Sequence, residues 1–118
     1  MKIAIYSRGG ENVDVHDLKV LLSALQDGKC TTYIFLDYFN QVKDSLLSAD
    51  GYDSFSTSED LDDSFDCMIS LGGDGTLLDT VTLIREKNIP VLGVNFGRLG
   101  FLASLGKEDI QTAVTALI

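Results

Sequence analysis

Four short stretches of the chain are nearly continuous in apolar or β-favouring residues: KIAIYS (2–7), TTYIFL (31–36), CMISL (67–71) and PVLGVN (90–95). A strand with one wet face alternates apolar and polar positions. These stretches do not alternate, so they predict strands buried on both faces, as in a parallel sheet. Between them the period lengthens. Leu18, Leu21, Leu22 and Leu25 recur at helical spacing, and Phe39, Val42 and Leu46 continue it in a second segment. Leu77, Val81 and Ile84 predict a third helix, and Ile110, Val114 and Leu117 a fourth. Strand and helix alternate along the chain. That pattern predicts an α/β domain with a mostly parallel sheet, helices on both faces and right-handed crossovers.

Punctuation supports these bounds. Gly28 follows the first helical pattern, where a C-terminal glycine is expected. Pro90 follows the third helix and opens the last strand. Residues 50–66, DGYDSFSTSEDLDDSFD, are rich in Asp and Ser and poor in aliphatics. They predict a long, mobile, solvated connector, and their spacing matches no calcium-binding loop. The chain closes on TAVTALI, inside an amphipathic pattern without a cap. This reads as a fragment of a longer protein.

Composition narrows the class. A length of 118 residues is room for one domain with a core of its own. No stretch approaches the roughly 20 apolar residues of a membrane span, and the first strand lacks a signal-peptide cleavage site. The net charge of −9 argues against nucleic acid and anionic membranes as partners. It leaves room for a nucleotide bound through backbone dipoles or a divalent metal. Cys30 and Cys67 form no C-x-x-C pair and read as free thiols in a reducing cytoplasm. His16, the single histidine, falls on a helix with no partner pattern and is given no role.

The chemistry concentrates in ISLGGDGTLLDTV (69–81). Leu71 ends a buried strand and Leu77 begins a helix, so the glycines lie at the carboxyl end of a parallel strand, where ligands of open α/β sheets bind. The helix turns its unpaired N–H groups and positive dipole end toward that loop. Gly72, Gly73 and Gly75 let a ligand approach the backbone closely. Two phosphate loops are excluded. No lysine completes G-x-x-x-x-G-K-[ST], and the third glycine of G-x-G-x-x-G is replaced by Leu78. Asp74 sets a negative charge where phosphate is expected. It fits phosphoryl transfer, as a metal ligand or as acceptor of a hydroxyl proton. Alternatively Asp74 is an N-cap, although Thr76 with Asp79 forms a second cap candidate, T-x-x-D.

A second cluster, GVNFGRLGFLAS (93–104), follows the fourth strand, again at a carboxyl end. Two such loops on neighbouring strands form the walls of one cleft. Asn95 can bond a ribose or phosphate and Arg98 can pair with phosphate, while Phe101 and Leu102 can cover a base. The competing reading makes Phe101 and Leu102 core and Arg98 one half of a surface ion pair.

GGDGTLL together with GVNFGRLGFL resembles the amino-terminal half of NAD kinases, and the resemblance runs over essentially the whole chain. Lipid kinases and phosphofructokinases share the G-G-D-G loop alone; the second motif selects NAD kinase. The resemblance implies a Rossmann-like three-layer domain. It implies ATP-dependent phosphorylation of the adenosine 2′-hydroxyl of NAD, giving NADP, with a divalent metal (Mg or Mn). Asp74 matches the catalytic aspartate, the base toward that hydroxyl. Gly75, Leu78, Phe101 and Leu102 match positions lining the NAD site. Gly72, Gly73 and Thr76 share the loop, and Asn95 and Gly97 belong to the second motif.

Two departures matter. Position 79 is often basic in the family; Asp79 stands here, which favours the capping role. The family also continues into a β-rich carboxyl-terminal domain that is not in this sequence. Residues 1–118 are therefore expected to be the amino-terminal domain, inactive alone and a homo-oligomer when complete. The alternatives are a lipid or sugar kinase sharing the loop, and a non-enzymatic flavodoxin-like nucleotide-binding module. For the latter, the first strand should end in a hydroxyl-rich phosphate loop; it ends in Ser7-Arg8-Gly9-Gly10.

Overall fold

A computed structural model describes residues 1–8, 15–45, 51–85 and 87–94. The elements run β1 (Lys2–Tyr6), α1 (Val15–Asp27), β2 (Thr31–Phe35), α2 (Leu36–Val42), β3 (Asp53–Phe55), β4 (Cys67–Leu71), α3 (Asp74–Ile84) and β5 (Val91–Val94). The described strands form one five-stranded sheet, ordered β3-β2-β1-β4-β5, and each pairing is parallel. The predicted α/β class is what the chain adopts. The predicted fourth helix (Ile110, Val114, Leu117) lies outside the described residues.

Strand side chains point alternately to the two faces, and each face has its own core. Ile3 and Ile5 join Cys67, Ile69 and Leu71 beneath α1 and α2, which contribute Leu18, Leu21, Leu22, Leu25, Tyr38 and Val42. Ala4, Tyr6 and Met68 point the other way, to Ile84 of α3 and to Phe55, Leu61, Phe65 and Ile89. This two-sided burial is why the strands read as unbroken apolar runs.

Residues 51–66 overturn the predicted solvated connector. They contain β3, which pairs with β2 through Phe35 opposite Phe55. A 3₁₀ turn follows at Ser58–Asp60. Phe55, Leu61 and Phe65 are buried, with Phe55 packed 5.6 Å from the Phe35 ring and Phe65 edge-on to Tyr33 at 5.1 Å. The acidic and hydroxyl residues do local work. Asp60 accepts the N–H groups of Ser56 and Thr57 at 2.9 and 3.1 Å, and the Ser58 hydroxyl donates to the Leu83 carbonyl of α3. Three anchors at irregular spacing carry no period, so the pattern hid a strand.

Other bounds shift by a residue. Leu36 opens α2 instead of ending β2, and β5 stops at Val94. Gly28 does follow α1, but Lys29 takes the left-handed conformation, with φ 59°. Its N–H bonds the Gln26 carbonyl and that of Cys30 bonds the Leu25 carbonyl, closing the helix in a Schellman pair. Cys30 is half-buried and Cys67 buried; both are free thiols. Among the described residues no helix is long and apolar enough to cross a membrane.

Candidate functional site

The strand order places the site. The chain runs outward from β1 to β2 and β3, then returns to the other side of β1 with β4 and β5. The reversal falls between β1 and β4. Loops leaving the carboxyl ends of two such strands diverge to opposite faces and leave a crevice there. The described residues at this crevice are Ser7 and Arg8 after β1, and Gly72 and Gly73 after β4. The predicted neighbouring of the two glycine-rich strand ends holds, since β4 pairs with β5 from Met68–Val91 to Leu71–Val94.

Gly72 and Gly73 make the turn from β4 into α3. The Gly72 N–H still donates to the Val94 carbonyl at 2.9 Å, carrying the sheet one step past Leu71. Gly72 then takes φ 145°, and a Cβ there would lie 2.6 Å from the Thr76 hydroxyl oxygen. Both facts demand glycine. Gly73 is the N-cap, with φ −93° and no side-chain cap. A Cβ on it would meet nothing within 4 Å, so its alpha carbon faces open space. Asp74, Gly75 and Thr76 form the first helical turn, whose N–H groups have no acceptor within the helix.

Three expectations about this helix change. Asp74 is the first helical residue, one position inside the cap, so capping does not explain an aspartate there. Thr76 is buried and does not pair with Asp79 in a capping box. The buried face of α3 is Thr76, Thr80 and Ile84, while Val81 is 54% exposed. With Ile84, the two threonines face the Met68 side of the sheet. Thr80 satisfies its hydroxyl on the Thr76 carbonyl at 2.9 Å. Leu78, expected to line the NAD site, is 57% exposed.

Asp79 has a different partner from the one expected. Arg8 grips its carboxylate with two groups, Nε to Oδ2 at 2.5 Å and Nη2 to Oδ1 at 3.1 Å. The Tyr6 hydroxyl donates to Oδ2 at 3.0 Å. The Arg8 guanidinium also lies over the start of α3, with Nη1 3.0 Å from where a Gly75 Cβ would be. Sequence reasoning gives Arg8 no role, although it follows a buried parallel strand within two residues and precedes Gly9-Gly10. Asn95, Gly97, Phe101 and Leu102, with Arg98, lie outside the described residues.

The electrostatics of this cluster fix a pH window. Hydrogen bonding from Arg8, against a smaller cost of burial, holds the Asp79 carboxyl below its ordinary value. Burial, then the Asp79 bond and charge, pushes the Tyr6 phenol from 10.0 up to about 12. In the core on the other face of the sheet, burial also raises the Tyr38 phenol. A raised phenol adds stability that is whole below pH 10 and is lost as pH climbs through the folded value. A depressed carboxyl adds stability present above its unfolded value and lost as pH falls through the folded one. Chemical-denaturation curves should therefore show a plateau through neutral pH. Alkaline unfolding should begin above about pH 10 and coincide with tyrosinate absorbance. Tyr6→Phe should move that limb upward; an unmoved limb would remove Tyr6 from this account.

A glycine turn that opens a helix at the switch point of a parallel sheet lies where open α/β sheets bind their ligands. The ATP-NAD kinase N-terminal domain model matches residues 18–118, and the chain belongs to the NAD kinase family. It is 38% identical over 112 residues to an NAD kinase of Flavobacterium psychrophilum, covering 95% of this chain and 38% of that one. It is 34% identical over 119 residues to an NAD kinase of Acetivibrio thermocellus, covering 100% of this chain and 38% of that one. The chain thus spans about two fifths of the length of the curated relatives it matches. The fold is also that of yeast NADH kinase, solved in complex with NADH. That match has a TM-score of 0.81 at 19% identity, over 99% of this chain and 35% of that one.

Proposed function

We propose that residues 1–118 supply the amino-terminal, base-bearing part of an enzyme that phosphorylates the adenosine 2′-hydroxyl of NAD with ATP, giving NADP. The observation that carries this reading is Asp74 at the first turn of α3, beside an open glycine turn at the switch crevice, in a chain of the NAD kinase family. The hydroxyl oxygen bonds to the γ-phosphorus, the bond from that phosphorus to the bridging oxygen breaks, and ADP leaves. Asp74 takes the hydroxyl proton as the new bond forms. The first-turn N–H groups and the dipole of α3 hold an anion, and Gly73 leaves room for it.

A divalent ion supplies charge neutralisation on the phosphates when bound. Among the described residues no three metal-binding side chains cluster, and Asp79 is already taken by Arg8 and Tyr6. Magnesium would be held mainly by the substrate phosphates, with the one or two carboxylates it needs supplied from outside the described residues, since Asp74 is the base. We place the remaining contacts on sequence beyond this chain, so that residues 1–118 alone do not turn over. The free thiols fit a reducing compartment, and we place the enzyme in the cytoplasm.

The test is NADP formation by the complete protein encoded by its open reading frame, given ATP and magnesium, with NAD and NADH as parallel acceptors. Phosphorylated dinucleotide from the complete protein, and none from residues 1–118, is the expected result. A complete, folded protein that phosphorylates neither acceptor would overturn the reading.

A further inference from the structure

Arg8 ties the end of β1 to α3 through Asp79. Its geometry leaves a second role open. A guanidinium presents two forks to an anion, the Nε–Nη2 edge and the Nη1–Nη2 end. Asp79 occupies the first. The carboxylate is itself fixed by the Tyr6 hydroxyl, whose ring packs 4.8 Å from the Phe35 ring. The end fork is directed elsewhere, and Nη1 lies over Gly75, the second residue of α3. The absence of a side chain at Gly75 is what lets the group come so near. Arg8 is a mostly exposed side chain, at 58%, so solvent or a ligand reaches its free end.

Three things therefore meet at one place. The end fork of Arg8 stands over the first turn of α3. The N–H groups of that turn lack helical acceptors. Gly73, the N-cap, faces open space. An oxyanion seated on the turn is within the compass of the fork, and a planar fork suits the paired oxygens of a phosphate. Asp79 lowers the net charge of the pair but fixes the direction of the remaining donors. That ordering would otherwise be an entropic cost of binding.

We propose that Arg8 binds a phosphate group of the nucleotide in the kinase site, and that Asp79, backed by Tyr6, is its positioning residue. This rests on the NAD kinase reading. The variants are Arg8→Gln, Arg8→Lys and Asp79→Asn in the complete protein, with steady-state NADP formation and thermal unfolding measured on each. Arg8→Gln should raise KM for ATP or for NAD about tenfold, the usual scale for one charged hydrogen bond, with kcat within about threefold. Arg8→Lys keeps the charge and should recover part of the loss. Asp79→Asn leaves Arg8 present but loosely held and should raise the same KM by about threefold.

Wild-type KM values in Arg8→Gln would overturn the proposal. So would kcat losses of equal size in Arg8→Gln and Arg8→Lys, accompanied by a lowered Tm and unchanged KM. If the wild-type protein forms no NADP, the kinase reading fails by itself. Calorimetric binding of ADP to wild type and to Arg8→Gln then tests phosphate recognition by Arg8. Weaker ADP binding in the variant upholds phosphate recognition, and equal or absent binding in both refutes it.

Discussion

Asp74→Asn in the complete protein will lower kcat for NADP formation by about 10²- to 10⁴-fold, the range for losing a positioned general base. The substitution keeps the size and planarity of the side chain and removes its ability to take a proton. KM for NAD should move little, because the loss falls on the transition state. Stability should move little as well. Asp74 is the first residue of α3, where a carboxylate favours the helix dipole by about 0.3–1 kcal/mol. Asparagine forgoes only that. A folded protein with nearly normal KM and almost no turnover is thus expected, read by steady-state kinetics beside thermal unfolding. Turnover within about twofold of wild type would remove Asp74 as the base.

The second large effect is on folding. Gly72→Ala should destabilise residues 1–118 by about 3 kcal/mol. The backbone strain of a side chain at φ 145° costs roughly 1–3 kcal/mol, and overpacking adds roughly as much. The added methyl would sit 2.6 Å from the hydroxyl oxygen and 3.0 Å from the Cβ of Thr76, and Thr76 is itself buried. It cannot swing away without lifting the first turn of α3 off the sheet. The neighbouring Gly73→Ala is the contrast. Gly73 has a negative φ and open space around its alpha carbon, so alanine there should cost about 1 kcal/mol or less, as an inferior N-cap. Urea denaturation of the two variants tests the pair. Equal costs would mean that the Gly72 turn relaxes freely.

These adjacent glycines show how legibility varied. The sequence marked both as one permissive loop. Only the backbone separates a residue forced to be glycine by its φ and by Thr76 from one that is glycine so that space stays open. The same limit applies to α3. Its leucine and valine spacing pointed to Leu77, Val81 and Ile84, yet the helix turns Thr76 and Thr80 inward. Both threonines are buried, and a hydrophobic period does not register threonine. Residues 51–66 failed for a related reason. Phe55, Leu61 and Phe65 are buried one by one, as anchors of an irregular segment whose Asp and Ser side chains bond their own backbone.

Where one face of an element is buried along its whole length, the sequence was sufficient. The β1, β2, β4 and β5 runs, the leucine face of α1 and the glycine turn at the end of β4 were all readable. Each expresses a local rule: burial on both faces, a period of 3.6, a helix start. The two motifs then sufficed to point to the NAD kinase family. Tertiary structure alone decided the strand order, and with it the crevice between β1 and β4. It alone joined Arg8 to Asp79, an ion pair spanning 71 positions of sequence. Nothing local to either residue specifies the other. They meet because β1 lies beside β4 and α3 packs back on the face of the sheet that carries Tyr6 and Met68, and that arrangement is a property of the assembled sheet.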